Sequence, residues 1–189
     1  MQSKKEKMVA RLLLQNKIGV LPTDTIYGLV GRALSKKAVQ KIYKLRKRNA
    51  KKPMIVLIDS LDDLKLFGIK LDGKTRKILQ RVWPGKVSVV LPCPLKKFSY
   101  LHRGEKTLAL RMPKNRILRK LLKQTGPLVA PSANREGEKP AETIKEAYRY
   151  FGDKSNFYVD ALRLHSPPST LIKLTNGRIV ILRKGVAML

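Results

Sequence analysis

Hydrophobic positions along this chain fall into two periods that alternate from one stretch to the next. Over residues 4–16, Met8, Val9, Leu12 and Leu13 recur at helical spacing among Lys, Arg and Glu, which predicts an amphipathic first helix. Residues 18–21 then read as a buried strand that Pro22 stops. A second helix is predicted from Ser35, a suitable N-cap, with Ala38, Val39, Ile42 and Leu45 on its inner face. The run PMIVLI at 53–58 follows as a buried strand. Shorter helices are predicted over 60–67, capped by Ser60, and over 73–83, closed by the turn Trp83-Pro84-Gly85. KVSVVLP and TLALRMP, at 86–92 and 107–113, are strands. Between them residues 93–106 are irregular and basic, a candidate mobile flap over a site. A helix at 115–123 leads into LVAPSAN, where Leu128 and Val129 are buried positions. A helix over 143–151, a strand near 157–159 and two strands joined at Asn176-Gly177 complete the pattern, and that dipeptide is a strong hairpin signal.

The polar residues that interrupt this pattern gather at strand ends. In PTDTIYG, the side chains of Thr23, Thr25 and Tyr27 project to one side of an extended segment, and those of Asp24 and Ile26 to the other. Gly28 lets the backbone turn or approach a ligand closely. Arg46, Lys47 and Arg48 end the second helix, where cations complement the helix C-terminus, and they lie just before Lys51 and Lys52. The forked guanidinium also suits pairs of phosphate oxygens. Arg111 stands on the last turn of a strand, Ser132 and Asn134 sit two apart, and Ser169 and Arg183 lie at the outer ends of the final hairpin.

Composition sharpens this. The chain has 189 residues, 43% of them hydrophobic, which suits one domain over residues 1–189 with a substantial core. Forty-two Lys and Arg against 13 Asp and Glu give a net charge of +29, which points to phosphate-rich partners; a solvated basic face is the alternative. Cys93 is the only cysteine, so an intramolecular disulfide and a Cys-based zinc cluster are excluded, and a reducing, cytoplasmic setting fits. His102 and His165 lack ligand spacing. No run approaches the roughly 20 apolar residues of a membrane span, so the protein is expected to be soluble. Gly68, Gly73, Lys74 and Thr75 satisfy the phosphate-loop pattern, but a polar helix precedes them where a buried strand is required, so the match reads as chance. What remains is a set of hydroxyls and cations with no His, nucleophilic Cys or paired carboxylates. Its chemistry rests on positioning and charge stabilisation, as in phosphoryl or nucleotidyl transfer.

PTDTIYGL at 22–29, Arg46-x-Arg48 with Lys52-Pro53-Met54, WPG at 83, LALRMP at 108, PSAN at 131, PST at 168 and LRKG at 182 occur in this order over residues 18–185. In these motifs the chain resembles the YrdC/TsaC family of threonylcarbamoyl-AMP synthases, in its short, single-domain form. The resemblance implies a YrdC-like α/β fold, a twisted mixed β-sheet flanked by helices with a basic concave face. It implies a nucleotidyltransferase that makes threonylcarbamoyl-AMP and pyrophosphate from L-threonine, bicarbonate and ATP with Mg²⁺. The product would serve threonylcarbamoyladenosine modification of tRNA, through tRNA-modifying partner proteins. Carried over by motif, Thr25, Tyr27, Arg111, Ser132 and Ser169 would hold threonine, and Arg46, Arg48, Lys52, Thr107, Asn134 and Arg183 would hold ATP. Arg48, Lys52 and Arg111 would neutralise charge during transfer. Three departures stand out: Arg46 replaces a family Lys, Glu136 and Glu142 stand where Ser and Thr are expected, and Asp160-Ala161-Leu162 replaces D-G-G. Glu136 and Glu142 would repel ATP unless turned away or bridged by metal. The competing readings are a non-catalytic tRNA or double-stranded RNA binding protein using the basic face, and a phosphate-loop NTPase using Lys74.

Overall fold

The computed structural model describes residues 3–175 and 178–188. In chain order the elements are α1 (Lys4–Leu14), β1 (Gly19–Pro22), β2 (Tyr27–Arg32), α2 (Lys36–Arg46), β3 (Val56–Leu57) and, after a 3₁₀ helix at Leu61–Phe67, α3 (Gly73–Val82). There follow β4 (Val87–Pro92), α4 (Ser99–His102), β5 (Thr107–Arg111), α5 (Arg116–Thr125), β6 (Leu128–Val129), α6 (Ile144–Phe151), β7 (Thr170–Thr175) and β8 (Arg178–Arg183). The helices start where side chains can satisfy their first free amides. Ser35 accepts from Ala38 N, Asp72 from Thr75 N, Asn115 from Leu118 N and Thr143 from Glu146 N. Asp72 thereby fills the start of α3, and Gly68 is the left-handed cap of the preceding 3₁₀ helix, so the phosphate-loop pattern is divided between two helix ends.

The strands form one mixed eight-stranded sheet in the order β1-β2-β6-β3-β5-β4-β7-β8. β3 with β5 and β4 with β7 are parallel, and the other pairs are antiparallel. Alternation along each strand sends successive residues to opposite faces. Val20, Leu29, Val56, Leu110, Val89 and Ile172 face one side, where they pack with Ile42 of α2, Phe67, Leu79 of α3, Phe98 and Phe151. Leu21, Val30, Leu57 and Leu128 face the other, beneath Val9 and Leu13 of α1 and Leu118 and Leu122 of α5. These two helices cover only the β1-β2-β6-β3 part of their face. Over β5, β4 and β7 the same face carries the half-buried Ala109, Val90 and Leu171. At the far edge β8 is exposed along its length, Ile179, Val180, Ile181 and Leu182 included.

Several expectations change. The hydroxyl stretch is not extended: Pro22 pairs with Tyr27, so residues 23–26 form a tight hairpin loop and the alternation breaks there. Residues 93–106 are folded rather than a flap. They form a 3₁₀ turn and α4, bury Cys93, Phe98 and Leu101, and tie down through Tyr100 Oη, which donates to Ala33 O at 2.9 Å. The 53–58 strand shortens to Val56–Leu57, and that near 157–159 to a parallel bridge between Val20 and Tyr158. Asn176-Gly177 lies outside the described residues, and the strands on either side of it pair antiparallel.

The bridge between Val20 and Tyr158 depends on a missing side chain. The Phe157 ring lies directly over Gly19, where a Cβ would fall 2.3 Å from a ring carbon. Gly19→Ala is expected to cost about 1–3 kcal/mol in urea unfolding, because the ring and its bridge must move together.

Candidate active site

The uncovered part of the sheet face forms the floor of a cleft of about 280 Å³. The loop between β1 and β2 makes one wall. Thr23 Oγ1 donates to Ile26 O at 2.6 Å and accepts from the amides of Thr25 and Ile26, a side-chain turn that holds the loop shut. Its hydroxyl lies 3.2 Å from that of Thr25, which in turn accepts from Arg111 Nη1 at 3.3 Å. Arg111 rises from the end of β5 and is almost fully buried; its Nη2 lies 2.8 Å from Asp24 Oδ1, a charge contact without hydrogen-bond alignment. Burial lowers the Arg111 pKa, Asp24 opposes that shift, and Arg183 adds to it.

The opposite wall comes from α2 and the PSAN segment. Leu29 N donates to Pro131 O and Ala133 N to Tyr27 O, which pins the segment beside β2 and brings Ser132 opposite Gly28. Arg46, in the last turn of α2, is buried beneath it. Its Nε donates to Asn134 O (2.9 Å), and its Nη2 donates to Asn134 Oδ1 (3.0 Å) and Ser132 Oγ (3.2 Å). Nη1 has no partner among the described residues. Burial first, and Arg48 second, push the Arg46 pKa down to about 10, so the group stays charged at neutral pH. Arg48 is aimed by neutral acceptors, the carbonyls of Lys52 (3.2 Å) and Pro53 (2.8 Å). At the β7 end, Arg183 Nη2 donates to Ser169 O at 2.8 Å, and the Ser169 hydroxyl shares a 2.9 Å hydrogen bond with Ser88. Burial lowers the Arg183 pKa too.

Thr25, Arg46, Arg48, Arg111, Ser132, Ser169 and Arg183 therefore line one cleft, with Thr23 beside them and Ile26, Met54, Ile55 and Leu171 as apolar surface. No His, Cys or carboxylate lines it among the described residues. Its guanidiniums and hydroxyls suit a ligand rich in anionic oxygen.

Four candidate residues are placed elsewhere. Tyr27 is fully buried and turned away: its hydroxyl donates to Leu162 O (2.7 Å), accepts from Ala161 N (2.9 Å) and lies 3.2 Å from Asp160 Oδ1. It fastens the segment that replaces D-G-G, with Leu162 at φ +62°. Asn134 sits under Arg46, and its amide is spent on the carbonyls of Arg135 (2.8 Å) and Glu138 (2.7 Å), so it does not point with Ser132 at the cleft. Thr107 starts β5 opposite Pro92, away from the lining. Lys52 is exposed and bound to Glu136. The two unexpected carboxylates are both engaged, Glu136 by Lys52 and the Asn49 amide, and Glu142 by His165 and Arg163. Asp24, the partner of Arg111, was assigned no role by the sequence pattern. The available signal was an acid in a loop with no helix to cap.

A family model described as telomere recombination, covering Sua5, YciO and YrdC proteins, matches residues 11–185. The chain belongs to this family. It is 31% identical over 183 residues to a threonylcarbamoyl-AMP synthase of Pyrococcus abyssi (strain GE5 / Orsay), covering 96% of this chain and 54% of that protein. A threonylcarbamoyl-AMP synthase of Thiobacillus denitrificans is 32% identical over 160 residues, covering 84% of this chain and 85% of that protein. The crystal structure of P. abyssi Sua5 complexed with L-threonine superimposes with a TM-score of 0.86 at 29% identity, over 98% of this chain and 55% of that one. The chain thus spans about half the length of the Pyrococcus protein.

The buried ion pair makes a direct prediction. Asp24→Asn leaves the Arg111 charge uncompensated and is expected to cost about 3–5 kcal/mol in denaturant unfolding, while Asp24→Asn with Arg111→Met regains most of that loss.

Proposed function

We propose that this chain is a threonylcarbamoyl-AMP synthase, converting L-threonine, bicarbonate and ATP to threonylcarbamoyl-AMP, pyrophosphate and water. The observation that carries the reading is the cleft, where four guanidiniums and four hydroxyls converge and, among the described residues, no carboxylate joins the lining. Two relatives bearing this activity's name, and a related structure holding L-threonine, support it. Arg111, held on one side by Asp24, would take the threonine carboxylate, with the hydroxyls of Thr25, Ser132 and Ser169 around the polar groups of the amino acid. The threonine amine, carboxylated by bicarbonate, becomes a carbamate. A carbamate oxygen attacks the α-phosphorus, and the bond to the bridging oxygen breaks to release pyrophosphate.

Negative charge accumulates on phosphate oxygens as this proceeds. Arg46, Arg48 and Arg183 are already aimed by neutral acceptors, so little reorganisation accompanies its stabilisation. Asn134 contributes by holding Arg46 rather than by touching nucleotide, and Tyr27 by holding the 160–162 segment. Lys52 adds its charge from the rim, and Thr107 lies outside the lined cleft. Mg²⁺ would arrive on the phosphates as part of MgATP. The product would pass to tRNA-modifying partner proteins, in the cytoplasm where tRNA and ATP meet. No helix among the described residues is long and apolar enough to cross a membrane.

Pyrophosphate release with MgATP and bicarbonate, measured with and without L-threonine, tests this reading. Release is expected to require threonine and to fall by roughly a hundredfold or more in Arg48→Ala. Release that ignores threonine at saturating substrate would overturn the synthase and shift the basic face toward RNA binding.

A further inference from the structure

The turn between α2 and β3 carries a cation of the phosphate-binding kind that is already engaged. Lys52 Nζ lies 2.8 Å from Glu136 Oε1, and the backbone N–H of Asn49 donates to the other oxygen of the same carboxylate. Both donors belong to one closed turn: Lys52 N donates to Asn49 O at 3.1 Å, and Lys51 N to Asn49 Oδ1 at 2.9 Å. Arg48 leaves the same turn for the cleft. An ammonium and a backbone amide that grip two oxygens of one carboxylate offer what two oxygens of a phosphate would use. Glu136 is steered there by its own backbone, whose N–H donates to Arg46 O at 2.8 Å. Its side chain is 25% exposed and that of Lys52 is 61% exposed, so the contact can exchange without unpacking the core.

We propose that Glu136 is a built-in competitor for the phosphates of ATP. It occupies an oxyanion subsite formed by Asn49 N–H and Lys52, must release Lys52 when the nucleotide enters, and so sets nucleotide affinity. The inference rests on the synthase reading for its ligand, and it explains why Lys52 lies off the cleft lining. Lys52 and Asn49 hold the Glu136 carboxyl below the usual carboxylate range, with Arg48 adding a smaller effect, so at neutral pH the competitor carries its charge.

A mere clamp that shapes the turn would have the opposite consequence, since its loss would weaken nucleotide binding. A distant negative charge would have an additive one. The test is a double-mutant cycle on Glu136→Gln and Lys52→Ala, reading affinity for Mg²⁺ with α,β-methylene ATP by calorimetry, which needs no turnover. Glu136→Gln is expected to tighten binding about two- to fivefold, the range of an exposed ion pair. Lys52→Ala is expected to weaken binding by less than about twofold in the wild type but by about two- to fivefold in the Glu136→Gln background. Weaker binding by Glu136→Gln, additive effects, or no binding by either the wild type or Glu136→Gln would overturn the proposal. Threonine-dependent pyrophosphate release alongside additive effects would sink this inference and leave the synthase standing.

Discussion

A β-strand offers each side chain only two faces, and the site here exists because one of those faces is covered over only part of its width. The α2 side is closed along the sheet by aromatic and aliphatic residues. On the other side α1 and α5 cover the β1 end and stop. Beyond them the alternation that buries Leu108 and Leu110 in the core sends Ala109 and Arg111 to the cleft side, with Leu171 beside them. On the uncovered strands a register slip of one residue would exchange core for cleft, so packing and binding share one specification there.

Charges this close to an apolar sheet need partners, and the fold supplies two kinds. Arg111, almost fully buried, is matched by the carboxylate of Asp24. Arg46, Arg48 and Arg183 are instead oriented by carbonyls, an amide oxygen and hydroxyls. These acceptors fix direction and leave the positive charge uncancelled. Burial lowers the pKa of Arg46 and Arg111, and to a lesser depth that of Arg183, so holding each charge here carries a cost that an anionic ligand lowers on binding.

Most elements were legible because their signals are local. Ser35 caps its helix as expected, helices expected to begin near 115 and 143 do so with Asn115 and Thr143 as their caps, and the motifs at 23–28, 131–134 and 168–170 do lie at strand ends. Side-chain direction was legible only where the backbone is regular. Arg111 and Ser169 face the cleft as alternation requires, but the turn at 23–26 breaks the phase, so Tyr27 faces away from Thr25. Asn134 shares its motif with Ser132, yet the chain turns between them, and the buried Arg46 claims its oxygen. The basic 93–106 segment reads as loop because its lysines mask the spaced apolar residues Cys93, Phe98 and Leu101, which anchor it to the core. The roles of Glu136 and Glu142 depend on partners far away in sequence, and no local pattern encodes them.

The bare outer strand β8 has a consequence for handling the protein. Its four consecutive apolar residues, Ile179 to Leu182, form a ready template for pairing with another chain. Mutual repulsion between molecules carrying +29 opposes that pairing. At about 1 M salt the Debye length shrinks to roughly 3 Å, and the repulsion no longer reaches a neighbouring molecule. High salt, the usual remedy for stripping nucleic acid from a basic protein, therefore removes the safeguard against self-association along this edge.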